Sequence, residues 1–483
     1  MIRRRNHSSN HQIDMTTGPL FINIIRFILP LIATNLLQQF YHSADIIIVG
    51  LSPELDAVGA VGSTGAFLAL IRNIFIGCSV GANIVVARCI GSDDREKTSH
   101  TVHTSVCMSL LLGMIGAIIG IVLTRPILIG MGYTENLLEL AVRYSYIYLA
   151  CMPFLSLTNF LSAILQAQGN TKISLYVLTS TGLLNIVLNL FFVMVVGLSV
   201  EGVAIATAIA NAISACLLWA YLAKKGDSCK ISFRKLHMHR EQCIDIARIG
   251  FPAGIQSALF SVSNIIVQSS ILQVNNALSP PNSVYAPIIK GSSAASDIET
   301  FIFQALAALT VAGSAFTAQN VGANNYRRVR KAFGQIILIS IFISVFMSAA
   351  AILFRTPLLA LYGVKNTGDP LAALTYDAAI KRIFWKWPAF FIYAIMNACS
   401  GAIRGLGKSS LAALIAFFTT CVFRIGWIFT VFKHFENLES IFISYPISWL
   451  LAVVVFVVLF FALISKEIRK TEAENNTTQN NNI

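Results

Sequence analysis

Twelve apolar stretches, each close to the length that crosses a lipid bilayer, follow one another along this chain. They lie at about 21–49, 57–87, 101–123, 137–165, 172–197, 200–223, 244–274, 292–319, 330–354, 376–403, 408–432 and 440–464. A helix needs about 20 apolar residues to span the hydrocarbon core of a membrane. Only 12% of the residues are charged, against roughly 25% in soluble domains. The sequence therefore predicts an all-α polytopic membrane protein with twelve transmembrane helices.

Basic residues are distributed unevenly over the connections between these stretches. They collect near the two termini and in the even-numbered connections, chiefly at 88–97, 224–240, 327–331, 404–408 and 466–470. The odd-numbered connections hold few, among them Arg125, Arg355 and Lys433. Because basic loops stay on the cytoplasmic side, we expect both termini in the cytoplasm and hence an even number of spans. This pattern accounts for the net charge of +13, so nucleic acid is not an expected partner.

The remaining motifs argue against metal binding and catalysis. The nine cysteines lie mostly in apolar stretches without Cys-x-x-Cys spacing, which indicates free buried thiols. His100, His103, His237 and His239 lack supporting cysteine or acidic ligands, so neither a metal site nor a cofactor is expected. The sequence contains no His-Glu-x-x-His, Gly-x-Gly-Asp or Gly-x-Ser-x-Gly motif and no filter-like loop. These observations disfavour an intramembrane enzyme and an ion channel.

Three short motifs of the first half recur, in the same order, in the second half. The pairs are Phe27-Ile-Leu-Pro30 with Ile249-Gly-Phe-Pro252, Gly91-Ser-Asp-Asp with Gly322-Ala-Asn-Asn, and Gln166-Ala-Gln-Gly169 with Arg404-Gly-Leu-Gly407. Parallel repeats of this kind predict two six-helix lobes related by an axis along the membrane normal. We therefore predict a cytoplasmic segment at 1–20, an N-terminal lobe at 21–223, a basic cytoplasmic loop at 224–243, a C-terminal lobe at 244–465 and a disordered cytoplasmic tail at 466–483.

The first apolar stretch carries a carboxylate among other polar side chains. Asn35, Gln38, His42 and Asp45 recur at three- and four-residue steps and so share one helix face, with Tyr41 beside them. A carboxylate at membrane depth costs roughly 2.5–3.5 kcal/mol, so it should face a cavity or polar partners rather than lipid. Burial also disfavours the charged form of a carboxylate, which suits a site that binds and releases a proton.

Polar residues in the fifth and sixth stretches fall at a similar depth. Asn185 and Asn189 lie one turn apart in the fifth, and Thr207 lies near the outer start of the sixth. A polar cluster around Asp45 follows if these faces point inward. Pro30 removes a backbone hydrogen bond and allows the helix that carries the acid to bend.

Over about residues 20–465 the chain resembles the multidrug and toxic compound extrusion (MATE) family, and within it the DinF-like branch. The resemblance rests on Pro30, on Asp45 with the Ile-Ile-Ile-Val-Gly that follows it, on the repeated glycine loops and on Gly202-Val-Ala-Ile-Ala-Thr207. It implies a cation-coupling site formed by Asp45, Asn185, Asn189, Thr207, Gln38 and Tyr41. DinF-like relatives often carry a second acid where this chain has Asn189, which leaves one carboxylate at the site.

The resemblance also implies a function. A bacterial cytoplasmic-membrane protein is expected, a monomer in contact with lipid, that exports small amphiphilic and preferentially cationic compounds in exchange for protons, or for sodium, by alternating access of two lobes. The candidate substrate-cleft residues are Asn35, His42, Asn159, Gln256, Asn264 and Arg424. The alternative is a flippase or exporter of lipid-linked or anionic substrates. Charged residues within the spans favour that alternative, among them Arg72, Arg424 and the group Lys381, Arg382 and Lys386.

Overall fold

The structure, a computed structural model, describes residues 12–50, 57–130, 135–224, 227–278 and 286–480, and every regular element in these ranges is a helix, as predicted. The first seven are α1 (Leu20–Val49), α2 (Ala57–Gly91), α3 (Arg95–Gly130), α4 (Glu135–Ala150), α5 (Met152–Ala167), α6 (Thr171–Leu190) and α7 (Val200–Lys224). The next ten are α8 (Arg240–Leu278), α9 (Pro287–Gly322), α10 (Tyr326–Leu353), α11 (Arg355–Leu361), α12 (Pro370–Lys386), α13 (Phe390–Gly405), α14 (Ser409–Ala416), α15 (Phe423–Trp427), α16 (Lys433–Phe435) and α17 (Leu438–Asn480).

The apolar spans confirm an integral membrane protein. Within the described ranges, ten helices are long and apolar enough to cross a membrane, and α4 with α5 makes an eleventh. These two helices meet at Cys151 with a bend of 47°, and Pro153 stands in the first turn of α5. Proline is well tolerated there because the first helical N–H groups have no partner within the helix. The predicted fourth span is therefore helical, with a break at Cys151.

The predicted tenth span is also helical, but it is interrupted and charged. A short 3₁₀ turn at Trp387–Ala389, containing a proline, separates α12 from α13. Asp377, Lys381, Arg382 and Lys386 all lie on α12, and this pair of helices is not among the spans counted above. The predicted stretch is thus helical, and the charges on it require partners inside the protein.

The described residues group into two compact units. The N-terminal unit comprises Met1–Ser257 with Ala318–Asn325, and the C-terminal unit comprises Ala258–Thr317 with Tyr326–Ile483. The division thus falls within α8 and α9 rather than in the loop at 224–243. Buried side chains of α2, α5 and α7, including Val86, Phe160 and Leu218, form one apolar core of the N-terminal unit.

The internal repeat is visible in the backbone. Asp93 and Asn324 occupy equivalent positions of the two glycine loops and have φ values of 58° and 54°. Only a short polar side chain or glycine adopts this left-handed conformation readily. The two preceding glycines pack reciprocally: a Cβ on Gly91 would lie 2.0 Å from the carbonyl oxygen of Gln319, and a Cβ on Gly322 would lie 2.1 Å from that of Arg88. The two motifs therefore have the same local geometry and contact each other symmetrically.

The terminal segments are more ordered than the sequence suggests. The predicted disordered tail begins at 466, but the structure continues α17 to Asn480. Arg327 Nη2 donates to Glu472 Oε1 at 2.7 Å, and this ion pair joins the tail helix to α10. Of the predicted N-terminal segment, residues 12–19 are described. Ile13 N donates to the carbonyl of Gly169, and Met15 is fully buried. Residues 1–11 and 481–483 lie outside the described ranges.

Candidate functional site

The carboxylate of Asp45, near the end of α1, lies against two amides of α6. Asn189 Nδ2 donates to Asp45 Oδ1 at 2.5 Å. Asn185 and Asn189 are both buried and stand one helical turn apart, so their side chains project from the same face of α6. The structure thus brings together the acid of the first span and the asparagine pair of the fifth, as the helix faces predicted.

The Asn185 amide also faces the carboxylate. With its nitrogen and oxygen assigned by their neighbours, Nδ2 donates to Asp45 Oδ1 at 2.9 Å and Oδ1 accepts from the backbone N–H of Thr207 at 3.3 Å. An ionised carboxylate only accepts hydrogen bonds, so it suits two amide donors. Both asparagines of α6 therefore donate to the acid.

A polar seam between α6 and α7 extends away from this cluster. Thr181 Oγ1 and Ser214 Oγ lie 2.6 Å apart. On α7, Asn211 Nδ2 donates to the carbonyl of Thr207 at 2.9 Å, which stabilises the turn that presents the threonine. Small polar residues commonly join membrane helices in this way. Thr207 is thus held in place from its own helix and from α6.

Two of the predicted cation-site residues lie apart from the carboxylate. Tyr41 OH donates to the carbonyl of Thr179 at 3.2 Å, and its ring packs directly on Gly182. Gln38 is exposed, and no hydrogen bond joins it to Asp45 in the part of the chain that the structure describes. Tyr41 therefore joins α1 to α6, a packing role that the helix-face argument does not anticipate.

The proline predicted to bend the first span lies inside α1, which is continuous from Leu20 to Val49. Thr34 Oγ1 donates to the carbonyl of Pro30 at 2.8 Å. The helix runs through Pro30 without a break, and a bend of α1 at this residue stays a prediction.

A second layer of residues, which sequence reasoning did not assign, lies near the acid. Tyr144 and Tyr148 on α4 have ring centroids 6.0 Å apart, and Tyr148 lies close to Arg72 of α2. Tyr144 is buried and within the electrostatic reach of both Asp45 and Arg72. The four-residue spacing of the tyrosines marks one face of α4, but nothing in the sequence indicates which helix that face meets. Arg72 therefore has a partner inside the N-terminal unit.

The candidate substrate residues are divided between the two units. Asn35, His42, Asn159 and Gln256 belong to the N-terminal unit, and Asn264 and Arg424 to the C-terminal unit. His42 and Asn264 are exposed, Gln256 is buried, and Asn159 Nδ2 donates to the carbonyl of Leu155 within its own helix. Their role in binding a substrate stays a prediction.

The Asp45 cluster offers oxygen atoms to a cation. The carboxylate, the Asn185 amide oxygen and the Thr207 hydroxyl are hard ligands of the kind that bind a proton or sodium rather than a transition metal. Among the described residues, no three His, Cys, Asp or Glu side chains are grouped as a metal centre would need. The arrangement thus offers three oxygen ligands to a small cation.

Comparison with known proteins gives matches over nearly the whole chain. The sequence model of the MatE family matches residues 30–191 and 282–430. The "Probable multidrug resistance protein YoeA" of Bacillus subtilis is 26% identical over 438 residues, which cover 88% of this chain and 89% of that protein. The "Probable multidrug resistance protein NorM" of Thermotoga maritima is 24% identical over 419 residues, or 86% of each chain.

Solved structures share the fold. An outward-facing multidrug resistance MATE family transporter of the MOP superfamily superposes with a TM-score of 0.84 at 22% identity, covering 95% of this chain and 99% of that one. A MOP superfamily transporter from Pyrococcus furiosus superposes with a TM-score of 0.86 at 22% identity and the same coverage. The description of that second structure states that the polarity of its binding pocket is reversed and suggests a different function.

Proposed function

The chain belongs to the MatE family of transporters, and on that premise we propose that it is a secondary-active multidrug exporter driven by a cation that binds at Asp45. Its substrates are amphiphilic small molecules, preferentially cationic. It works as a monomer in the bacterial cytoplasmic membrane, with both termini in the cytoplasm. Members of this family are transporters and not enzymes, so the chemistry at the site is ion binding and release.

The observation that carries this proposal is a carboxylate inside a span with amide partners only. Within the described ranges, Asp45 forms no ion pair with a lysine, arginine or histidine, and its hydrogen bonds come from the asparagines of α6. Asp45 is partly buried within a span, and a carboxylate at membrane depth without a counter-charge is costly, which favours a bound cation. The coupling cation supplies that charge from outside, and its loss to the cytoplasm leaves the acid ready for the next cycle.

The energy available from such a site is adequate for export. One elementary charge that crosses 100 mV releases about 2.3 kcal/mol, which corresponds to roughly fifty-fold accumulation of an exchanged solute. The Asn185 and Asn189 amides both donate to the Asp45 carboxylate in its ionised form. A proton would neutralise that carboxylate directly, and the oxygen ligands of the site also permit sodium.

Replacement of one acid tests the proposal. Asp45→Asn removes the charge and keeps the shape of the side chain, so a drug-sensitive host that expresses this variant should lose the resistance that the wild-type chain confers. Asp377→Asn is the matched control, because Asp377 is exposed and pairs with Lys381 at 3.0 Å within one helix. Resistance that persists in Asp45→Asn at wild-type level, with equal expression, would refute Asp45 as the coupling site.

Proteoliposomes then identify the ion. The wild-type chain is given a proton gradient without sodium and a sodium gradient without a pH difference, in turn. Export driven by the first alone supports proton exchange, and export driven by the second alone supports sodium exchange. Export that needs neither gradient would contradict secondary-active transport.

A second candidate function concerns substrate charge. The C-terminal unit buries Arg382, Lys386 and Arg424 with Glu299 as the buried carboxylate among them. An excess of buried positive charge favours export or flipping of lipid-linked or other anionic amphiphiles over export of simple organic cations. Transport of matched anionic and cationic dyes by the same proteoliposomes decides between the two.

A further inference from the structure

The C-terminal unit contains a buried group of four charged side chains on three helices. Glu299 lies on α9, Arg382 and Lys386 on α12, and Arg424 on α15, and each is at most 5% exposed. Charged side chains are rarely buried to this degree unless each has a partner. The ion pairs within the group therefore show which charged side chain has no partner of opposite charge.

Glu299 is fully engaged by the two cations of α12. Arg382 Nη2 donates to Glu299 Oε1 at 2.7 Å and its Nε donates to Oε2 at 3.3 Å, while Lys386 Nζ donates to Oε1 at 2.5 Å. The remaining Arg382 contacts are to the hydroxyls of Ser292 and Ser296, at 3.0 and 2.9 Å. One carboxylate thus serves two cations, and the Arg382 guanidinium makes four hydrogen bonds.

Arg424 has no carboxylate partner. Its Nε donates to Ser448 Oγ at 3.0 Å, and its terminal nitrogens donate to no atom of the described residues. The guanidinium carbon lies 4.1 Å from the ring centroid of Tyr445, and Lys386 Nζ lies 3.7 Å from the same centroid. The two cations therefore both face one aromatic ring, which attracts each of them without neutralising either.

Neighbouring acids do not restore neutrality. Asp377 and Glu439 pair with Lys381, at 3.0 and 2.9 Å. Asp297 is exposed and lies two residues from Glu299, which directs it to another face of α9. Even with Lys386 neutral, the buried group keeps one positive charge, because a guanidinium does not lose its proton in a protein.

We propose that Arg424 and Lys386 form a binding site for the anionic head group of an amphiphile, namely a carboxylate, sulfonate or phosphate. The free fork of Arg424 matches two oxygens of such a group. Trp449 and Tyr393, with ring centroids 5.2 Å apart, supply an apolar wall beside it for an aromatic or alkyl body. That the ligand is a transported compound rests on the proposed function, whereas the binding itself does not.

The same head-group chemistry occurs in a soluble amphiphile and in an anionic lipid. Both would present oxygens to the guanidinium and hydrocarbon to the aromatic rings. The test therefore uses one soluble probe pair and varies the lipid around the protein.

The experiment measures binding to the full chain in phosphatidylcholine nanodiscs. The probes are pyrenesulfonate and pyrenemethylammonium, which share a ring system and differ in charge. Pyrenesulfonate should bind to the wild type more tightly than the ammonium probe. Arg424→Gln should weaken sulfonate binding roughly ten- to hundred-fold, as expected for loss of a charged hydrogen-bonding partner. Lys381→Met, on the same helix as Lys386, is the control and should bind as the wild type does.

A further variant keeps the result interpretable. Arg424→Lys retains the charge and loses the planar guanidinium, so binding between that of the wild type and that of Arg424→Gln supports the site even where the glutamine variant folds poorly. The binding assay uses no ion gradient, and the resistance assay of Asp45→Asn uses no sulfonate probe. A failure of the proposed coupling site is therefore distinguishable from a failure of this one.

The lipid arm identifies the occupant. Competition of pyrenesulfonate by phosphatidylglycerol in the disc would assign the site to a lipid phosphate, and sulfonate binding without such competition would assign it to a soluble amphiphile. Equal affinity for the two probes, or unchanged sulfonate binding in Arg424→Gln, would overturn the proposal.

Discussion

The crossing of α2 and α8 in the N-terminal unit predicts a sharp difference between two glycines of the same helix. A Cβ on Gly77 would lie 2.2 Å from the Cα of Gly254 and 2.3 Å from its backbone nitrogen. Carbon atoms in contact prefer about 3.5–4.0 Å, so Gly77→Ala must move the two backbones apart by more than 1 Å at this point. Gly65, also in α2, has no atom within 4 Å of its added Cβ.

The magnitude follows from two opposing effects. Alanine in place of glycine stabilises a helix by roughly 0.5–1 kcal/mol, whereas overpacking a close contact costs about 1–3 kcal/mol or more. Gly65→Ala should therefore be neutral or slightly stabilising, and Gly77→Ala should be clearly destabilising. Gly254→Ala should fall between them, because its nearest atom, the carbonyl oxygen of Ile74, is 3.0 Å from the added Cβ.

Thermal unfolding of the purified proteins in one detergent measures the effect. We expect Tm to fall by a few degrees for Gly77→Ala, by less for Gly254→Ala, and not at all for Gly65→Ala. A Gly77→Ala protein with wild-type Tm would refute the close backbone contact. A larger loss in Gly65→Ala than in Gly77→Ala would refute the steric argument as a whole.

Three further predictions concern polar contacts. Asn189→Leu removes a donor to the α1 carboxylate and should abolish export, whereas Asn211→Leu, whose amide bonds only its own helix, should retain most of it in the same vesicle assay. Glu299→Gln leaves two buried cations with a neutral partner and should lower the free energy of unfolding by about 3–5 kcal/mol. Glu472→Gln, in a largely exposed ion pair, should lower it by about 0–1 kcal/mol. The Tm values of the two variants test this difference, and equal shifts in Tm would contradict it. Desolvation and neighbouring histidines lower the pKa of His239 below its usual 6.5, so the carbethoxylation of His239 should reach half its maximum below pH 6.5. The contacts of the loop that carries His239 should weaken as the pH falls through 6.5, because the unfolded chain then binds the proton before the folded chain does. A midpoint above 6.5 would refute that environment.

Much of the fold could be predicted from the chain alone. A backbone in lipid must satisfy its own hydrogen bonds, so apolar stretches of about 20 residues become helices whatever surrounds them. The stretches at 137–165 and 376–403 each contain a break, yet both are helical. The repeated loops also have the equivalent left-handed residues Asp93 and Asn324. These features depend on local sequence, which is why periodicity and length were sufficient.

The contacts within the candidate sites were decided by the tertiary structure. Helical periodicity puts Asn35, Gln38, His42 and Asp45 on one face, but the rotation and tilt of each helix select which of them meets a partner. Asp45 meets Asn189, 144 residues away, whereas Gln38 does not join the cluster.

The same holds for the charges inside the spans. The sequence marks the buried cations of the C-terminal unit as costly, but only packing shows that Glu299 pairs with Arg382 and Lys386 and leaves Arg424 against Tyr445. Side-chain chemistry along the chain determines which groups require partners. Distances between helices far apart in sequence determine which groups obtain them, because a hydrogen bond or ion pair is made only within about 3–4 Å.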